Sequence, residues 1–525
     1  MSSSVSRIAI SVCAAGAALL LVSPAMAQRD EATTYQPDEA SLSRHSEVPE
    51  WFRDAKLGIY VHWGVYSVPA DRDEWYPRWM HFREYASRPE IEAVYQRHVE
   101  RYGPPEEFGY HDFVPMFTAE NFDADEWADL FVAAGAKFAG LVAEHHDGFA
   151  MWDSAVTPWN AADKGPERDV VGELYEAYRE RGLKVMGSFH HARNLQRYSD
   201  LTAEESNALL AGEDRWIFSD SHYPWIPGQP PTSDDPELRL LYGNVPESEW
   251  LEEIWYAKLT EFIDSYHPDL IYFDSWLDTI PQSYRDRFAA YYFNAARERG
   301  QDVMVTHKQE DLPLTWSVED FEKGRMDRLT DQVWMTDDTI SDGSWCYTED
   351  LGVKPLTRVL HDFIDSVSKN GQLLLNVSPM ADGTIPDNQR AVLNDLGHWM
   401  DRNGEAIYET RPWRVYGEGP TKLSGSGHFL DAVSYTAGDI RFTTKGSDTL
   451  YVIALGEPDG DTLTVKSLAS DLTLYEDEIA SISLVGGGEV NGWERGTEGL
   501  VIPVGDDARG QPALVWKIVR AVPEE

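Results

Sequence analysis

A chain of 525 residues with 42% hydrophobic content is long enough for a large catalytic domain with a smaller companion. Its 90 Asp and Glu against 45 Lys and Arg leave a formal net charge of −45, which argues against nucleic acid and anionic membranes as partners. The 19 Trp and 25 Tyr exceed ordinary packing needs and suit a sugar-binding cleft, where rings offer flat apolar faces with polar edges.

Residues 1–27 read as an export signal: Arg7 supplies the basic start, Ile8 to Val22 is apolar, and Ala25-Met26-Ala27 forms a cleavage site before Gln28. The mature protein is therefore expected in the periplasm or outside the cell. The alternative of an uncleaved anchor suits the short apolar run poorly. Cys13 lies within that signal, so Cys346 is left alone, which rules out an internal disulfide and cysteine metal clusters. Residues 28–47 are polar, acidic and without periodicity, and read as a surface lead-in.

From residue 48 onward, short apolar runs alternate with segments of helical pattern such as Asp125 to Gly135 and Gly172 to Gly182. The predicted strands are Leu57–Val61, Phe138–Ala143, Lys184–Phe189, Leu270–Phe273, Val303–Thr306 and Leu373–Val377. Such alternation through residue 412 predicts an α/β fold, a (β/α)8-like barrel with a parallel sheet. After Trp413 the texture changes to short runs, including Ile440–Thr444, Thr449–Leu455, Ser481–Leu484 and Ala513–Ile518, divided by Gly, Asp and Asn. Residues 413–525 thus read as a C-terminal antiparallel β-sandwich.

The strand ends share a chemical theme. Leu57–Val61 runs into His62, Phe138–Ala143 into Glu144-His145-His146, and Lys184–Phe189 into His190-His191. The run Leu270, Ile271, Tyr272, Phe273 stops at Asp274, followed by Ser275 and Trp276. In a parallel barrel the C-terminal strand ends are where catalytic groups collect. A lone Asp there is more often a cap and a lone His a structural group, but four such ends point to one pocket. A His and carboxylate metal site is the second reading; adjacent His residues on a strand diverge, and no HExxH helix is present. Imidazoles and Trp N–H groups suit sugar hydroxyls. Glycoside cleavage needs two carboxyl groups, of which Asp274 supplies one; Glu310, Glu319, Asp320 and Glu322 compete for the other.

Several stretches resemble the glycoside hydrolase family of retaining α-L-fucosidases: LGIYVHWGVYSVP from Leu57, EWY from Glu74, AEHHDGFAMWDS from Ala143, IYFDSW from Ile271, DFEKG from Asp320 and SKNGQLLLNVSPMADGTIP from Ser368. The resemblance spans the predicted barrel in order and implies an exo-acting enzyme, without cofactor or metal, that removes terminal α-L-fucose from fucosylated oligo- or polysaccharide. It implies Asp274 as nucleophile and Glu322 as acid/base. It implies sugar contacts from His62, Trp75, His145 and His146, with Glu74, His190, Tyr272 and Trp276 as further candidates. An apolar wall from Trp276 or Phe149 would meet the fucose methyl. Asn376 reads as structural.

Two departures from the family pattern stand out. Met335 follows Trp334 where some members place a glutamate, so no proton donor lies there, and Phe189-His190-His191 occupy the region of a sugar-contacting tyrosine. A related exo-glycosidase acting on an α-L-galactoside and a catalytically silent glycan-binding protein are the alternative readings.

Overall fold

The computed structural model describes residues 34–83, 88–199, 201–211 and 220–521. The export signal read at 1–27 lies outside the described residues. Eight parallel strands form the first sheet: Leu57–Val61 (β1), Phe138–Glu144 (β2), Lys184–Phe189 (β3), Leu270–Phe273 (β4), Met304–His307 (β5), Val318–Glu319 (β6), Trp334–Thr339 (β7) and Gly371–Val377 (β8). Their order is β6-β5-β4-β3-β2-β1-β8-β7, so the sheet curls until its two edges meet. They meet thinly: just past β6, Asp320 bridges to Met335 of β7, with Phe321 N–H donating to the Met335 carbonyl at 2.9 Å and Lys323 N–H to the Asp337 carbonyl at 2.8 Å.

Helices pack around this barrel, among them Ala124–Ala133 (α1), Val170–Glu180 (α2), Ala257–Tyr266 (α3), Gln282–Arg299 (α4), Leu356–Ser368 (α5) and Asp387–Asn403 (α6). Aspartates start the first two: the Asp123 and Asp169 carboxylates each accept a backbone N–H three residues on, at 3.0 Å. Their apolar faces meet the outward residues of the strands, such as Ile59, Leu141, Val185 and Ile271.

Strand periodicity sorts the interior. Successive side chains alternate across a strand, so residues two apart share a face. Tyr60, Met186, Leu270, Met304, Val318, Met335 and Leu374 belong to one buried cluster that fills the barrel. Two or four positions further on lie His62, His190, Asp274, Lys308, Glu322, Asp337 and Asn376, which therefore stack above that apolar plug. On β2 a register shift between Val142 and Glu144 breaks the count. Glu144 turns outward to Lys258 of α3, a buried ion pair at 2.8 Å, and His145 turns inward.

The C-terminal strands form two antiparallel sheets. Arg411–Glu418 (β9), Ile440–Lys445 (β10), Thr449–Ala454 (β11), Ile479–Leu484 (β13) and Leu514–Arg520 (β16) make one, ordered β13-β16-β11-β10-β9. Thr462–Val465 (β12), Glu494–Gly496 (β14) and Gly499–Pro503 (β15) make the other. Phe442, Val452, Leu500 and Trp516 lie in the apolar core of this part of the chain. Tyr451, Ile453 and Val515 point the other way and join the core of the barrel. Buried Asp365 of α5 fastens the contact, accepting from Lys369 at 2.6 Å and from Arg441 of β10 at 2.7 Å.

Three expectations need correction. β6 and β7 are absent from the predicted strands, because one is two residues long and the other reads Trp-Met-Thr-Asp-Asp-Thr, with no apolar run. The strand predicted as Val303–Thr306 is displaced by one residue, to Met304–His307. The described part of the lead-in packs on the barrel: Leu42 is fully buried, and the His45 ring stacks on Phe293 of α4 at 3.9 Å. Isolated anchors of this kind carry no periodic signal.

Candidate active site

The stacked polar residues open into a cavity of about 640 Å³ at the C-terminal ends of the barrel strands. His62, Glu74, Trp75, His145, His190, Asp274, Trp276 and Glu322, all singled out from sequence, line it together. Arg193, Lys308, Asp337, Trp345 and Phe429 complete the chemistry of its wall and were not singled out.

Lys308 organises the centre. Its Nζ lies 3.0 Å from Asp274, 2.9 Å from Glu322 and 3.1 Å from Asp337, and the side chain is almost wholly buried. One cation thus faces three carboxyl groups, and they do not share it equally. Burial opposes the charge on Asp274, but Lys308, His190 and His146 outweigh it and hold the carboxyl well below its usual range. Burial drives Glu322 up, and nearby Asp337 and Asp274 add to that against Lys308, leaving it at about 7. Lys308 itself is pushed up by its carboxylates despite burial and stays charged.

Below them lies a buried pair. Burial and the Asp337 charge raise Asp320 far above the carboxylate range, so it holds a proton. Burial works against ionised Asp337, but Lys308 and the Asp320 hydrogen bond keep its value low. Tyr60 and Tyr272 donate to Asp337 at 2.9 and 3.1 Å. Tyr272 also reaches Asp320 at 3.2 Å. Tyr272 is therefore not a residue of the cavity wall, as the sequence reading had it, because its hydroxyl is held beneath the floor.

The imidazoles divide in the same way. Asn376 Oδ1 accepts from His62 N–H at 2.9 Å and from Nδ1 at 2.8 Å, which leaves Nε2 of His62 as an acceptor toward the cavity. Burial lowers His62 to about 4 and holds His145 and His190 well below the ordinary range, so all three are neutral near pH 7. The Ser188 hydroxyl meets His190 Nε2 at 2.8 Å, and His190 Nδ1 lies 3.4 Å from Asp274. His146 is absent from the wall; its Nε2 lies 3.4 Å from Asp274 from behind, and Nδ1 donates to the His190 carbonyl. It lies behind the carboxylate, outside the cavity. His191 points away and stacks on Trp255, as divergence of neighbours on a strand requires.

Nitrogens of His62, His145 and His190 lie within 4.8 Å of one another, which bears on the second reading, a His and carboxylate metal site. Asn376 fixes His62 through Nδ1 and Ser188 fixes His190 through Nε2, which sets the orientation of both rings. Apolar surface comes from Trp75, stacked on Trp79 at 5.6 Å, and from Trp276. The Arg193 guanidinium lies over both Trp75 and Trp276, 4.3 and 4.6 Å from the ring centres. Phe149 is not part of that wall: it is buried and packs edge-on against Phe117. Glu74 is buried, accepts from the Trp345 N–H at 3.3 Å, and is raised to about 8 by burial and by Asp73.

Of the acids that competed to be the partner of Asp274, Glu310 is exposed and Glu319 lies outside the cavity, while Asp320 lies under the floor. Only Glu322 reaches Lys308 beside Asp274. Two oxygens at these distances from one nitrogen lie at most about 6 Å apart, which admits the roughly 5–5.5 Å of retaining carboxyl pairs and is below the wider spacing of most inverting ones. An ionised carboxylate beside a carboxyl near pKa 7 can attack an acetal carbon while the other protonates the leaving oxygen.

A family model described as alpha-L-fucosidase matches residues 22–405. The tissue alpha-L-fucosidase of Rattus norvegicus is 33% identical over 413 residues, 77% of this chain and 79% of its own. The human tissue alpha-L-fucosidase is 32% identical over 443 residues, 82% and 81% of the two chains. Among solved structures, Thermotoga maritima alpha-fucosidase in complex with fucose superposes with a TM-score of 0.68 at 28% identity, covering 92% of this chain and all of that one. A complex with a mechanism-based inhibitor gives 0.67 at 29% identity, covering 93% and 100%. The barrel, the sandwich and these matches agree: the chain belongs to the alpha-L-fucosidase family of glycoside hydrolases.

Proposed function

We propose that this protein removes terminal α-L-fucose from fucosylated glycans by double displacement with retention of configuration. The observation that carries the reading is the single ammonium of Lys308 between two unequal carboxyls, one held ionised and one held near 7. Asp274 attacks the anomeric carbon while Glu322 gives its proton to the departing oxygen. In the second step Glu322 takes a proton from water, which attacks the same carbon and releases Asp274. His62, His145, His190 and Arg193 meet the sugar hydroxyls, and Trp75 and Trp276 cover its apolar side. No metal has a part in this scheme. The test is hydrolysis of an aryl α-L-fucoside and an aryl α-L-galactoside followed by NMR: α-L-fucose appears first and the fucoside is preferred. A β product, a preferred galactoside, or loss of activity on chelation with recovery on adding zinc would each overturn part of it.

The pH profile follows from the same groups. Glu322 must begin protonated, so kcat/KM is full below about 7 and falls as pH rises through that value. The acid limb belongs to Asp274, whose depressed value places it below the ordinary carboxylate range. A profile with its alkaline limb near 4 would contradict this assignment of Glu322. We also propose export on the strength of residues 1–27, which is checked by finding Gln28 at the mature N-terminus.

A further inference from the structure

The segment 419–439 joins β9 to β10 in the C-terminal part of the chain, yet it crosses to the barrel and runs alongside the acid/base segment. Phe429 N–H donates to the Glu322 carbonyl at 2.8 Å, and Leu430 N–H to the Lys323 carbonyl at 3.2 Å. Arg325 and Gly427 exchange two backbone hydrogen bonds, at 3.2 and 3.1 Å. His428 Nδ1 accepts from the Glu322 N–H at 3.0 Å. The approach is tight enough that a Cβ on Gly324 would lie 2.2 Å from the Gly427 carbonyl oxygen. Both strands of this clamp contain a non-glycine residue in the left-handed region, Lys323 at φ 44° and Phe429 at φ 50°. Backbone of that kind persists where the surroundings hold it.

What the clamp presents is an aromatic ring. Phe429 lines the cavity and is 66% exposed, the most exposed of the large hydrophobic side chains described. A phenylalanine so exposed gains little from burial, and its left-handed backbone adds a cost. Its backbone is bonded to that of Glu322, the residue read as the proton donor, and both side chains line the same cavity, which puts the ring on the wall that a leaving group protonated by Glu322 would face. We infer that Phe429 is the platform for the leaving-group sugar, and that the 419–439 segment of the C-terminal domain sets which aglycones are accepted. The ligand class is a pyranose that presents a flat C–H face to the ring. His428 is a positioning residue that holds the Glu322 backbone.

This inference rests on the fucosidase reading, and one pair of substrates separates the two. α-L-Fucosyl fluoride has a leaving group too small to touch Phe429 and needs no acid, whereas an α-L-fucosyl-galactose disaccharide needs both. In Phe429→Ala the ratio of kcat/KM for disaccharide over fluoride falls about tenfold, the size of one lost ring contact, chiefly through KM. Phe429→Tyr, which keeps the ring, restores it. Phe429→Leu keeps apolar bulk without a flat face and shows the same fall, which covers the case in which alanine does not fold. A ratio unchanged in the alanine and leucine variants overturns the platform. If wild type hydrolyses neither substrate, the fucosidase reading itself has failed.

Discussion

Replacing Asp274 with alanine lowers kcat on an aryl α-L-fucoside by at least about 10⁴-fold, because the group proposed to form the covalent intermediate is gone. The fold should survive. Asp274 is a carboxylate above the apolar plug, and although its removal gives up a favourable pairing, Lys308 keeps Glu322 and Asp337 as partners. Added azide then enters the vacated space from the face where the carboxylate stood and restores turnover, giving β-L-fucosyl azide by NMR. Glu322→Ala behaves differently: the intermediate still forms from substrates with good leaving groups, and azide captures it as the α anomer. Its loss is smaller, about 10²–10⁴-fold, and greatest for poor leaving groups. If Asp274→Ala retains more than a hundredth of wild-type activity, or yields the α-azide, the nucleophile is another residue.

Lys308→Met should come next in size, although Lys308 touches no substrate in the scheme. Methionine fills the space and removes the cation shared by Asp274, Glu322 and Asp337. Among the influences that lower Asp274, Lys308 is the largest, and it also opposes the rise of Glu322, so both values climb without it. A nucleophile that is partly protonated and an acid that binds its proton too firmly together cost about 10²–10³-fold in kcat at neutral pH. The alkaline limb of the pH profile moves up, not down. Stability changes as well: leaving buried carboxylates without their cation costs about 3–5 kcal/mol near neutrality. The sign of its pH dependence reverses. In the wild type, depressed Asp274 and Asp337 contribute stability that is lost as pH falls through their folded values. In the variant those carboxyls are raised, so acid stabilises it relative to neutral pH. Thermal unfolding at two pH values reads this directly, and a variant that loses activity but melts equally at both would contradict the shared-cation account.

How much of this is legible in the chain depends on whether a residue follows an apolar run. β1, β3, β4 and β8 are short, apolar and bounded, and the polar residue beyond each is visible: His62, His190, Asp274 and, inside the last, Asn376. Lys308 follows Met304–His307 by the same rule, but Thr306-His307 blurs the strand's end and a lone lysine there looks like a surface residue. Asp337 sits in a strand with almost no apolar pattern, since after Met335 the run Thr336-Asp337-Asp338-Thr339 is polar on both faces. Tyr272 shows the opposite error: the right face, one layer too deep. Glu322 becomes legible only through the family's DFEKG motif, because the two-residue β6 before it has no signal of its own. Phe429 is furthest from reach, being remote in sequence and in a segment with no regular structure.

The seam between β6 and β7 divides the two carboxyls proposed for catalysis by mechanical support. Asp274 extends β4, which is laddered on both sides, by β3 and by β5. Glu322 follows the two-residue β6 at the seam, where no ladder forms across to β7 and its backbone is held instead by contacts borrowed from the 419–439 segment of the C-terminal part of the chain. Local opening draws first on the least connected backbone. Gentle heating or mild denaturant should therefore blunt proton donation before it blunts attack. An enzyme in that condition still cleaves activated fluorides and nitrophenyl glycosides while failing on natural glycosidic bonds. An assay with an activated substrate alone would then report a healthy catalyst at temperatures where the protein has already stopped doing its work.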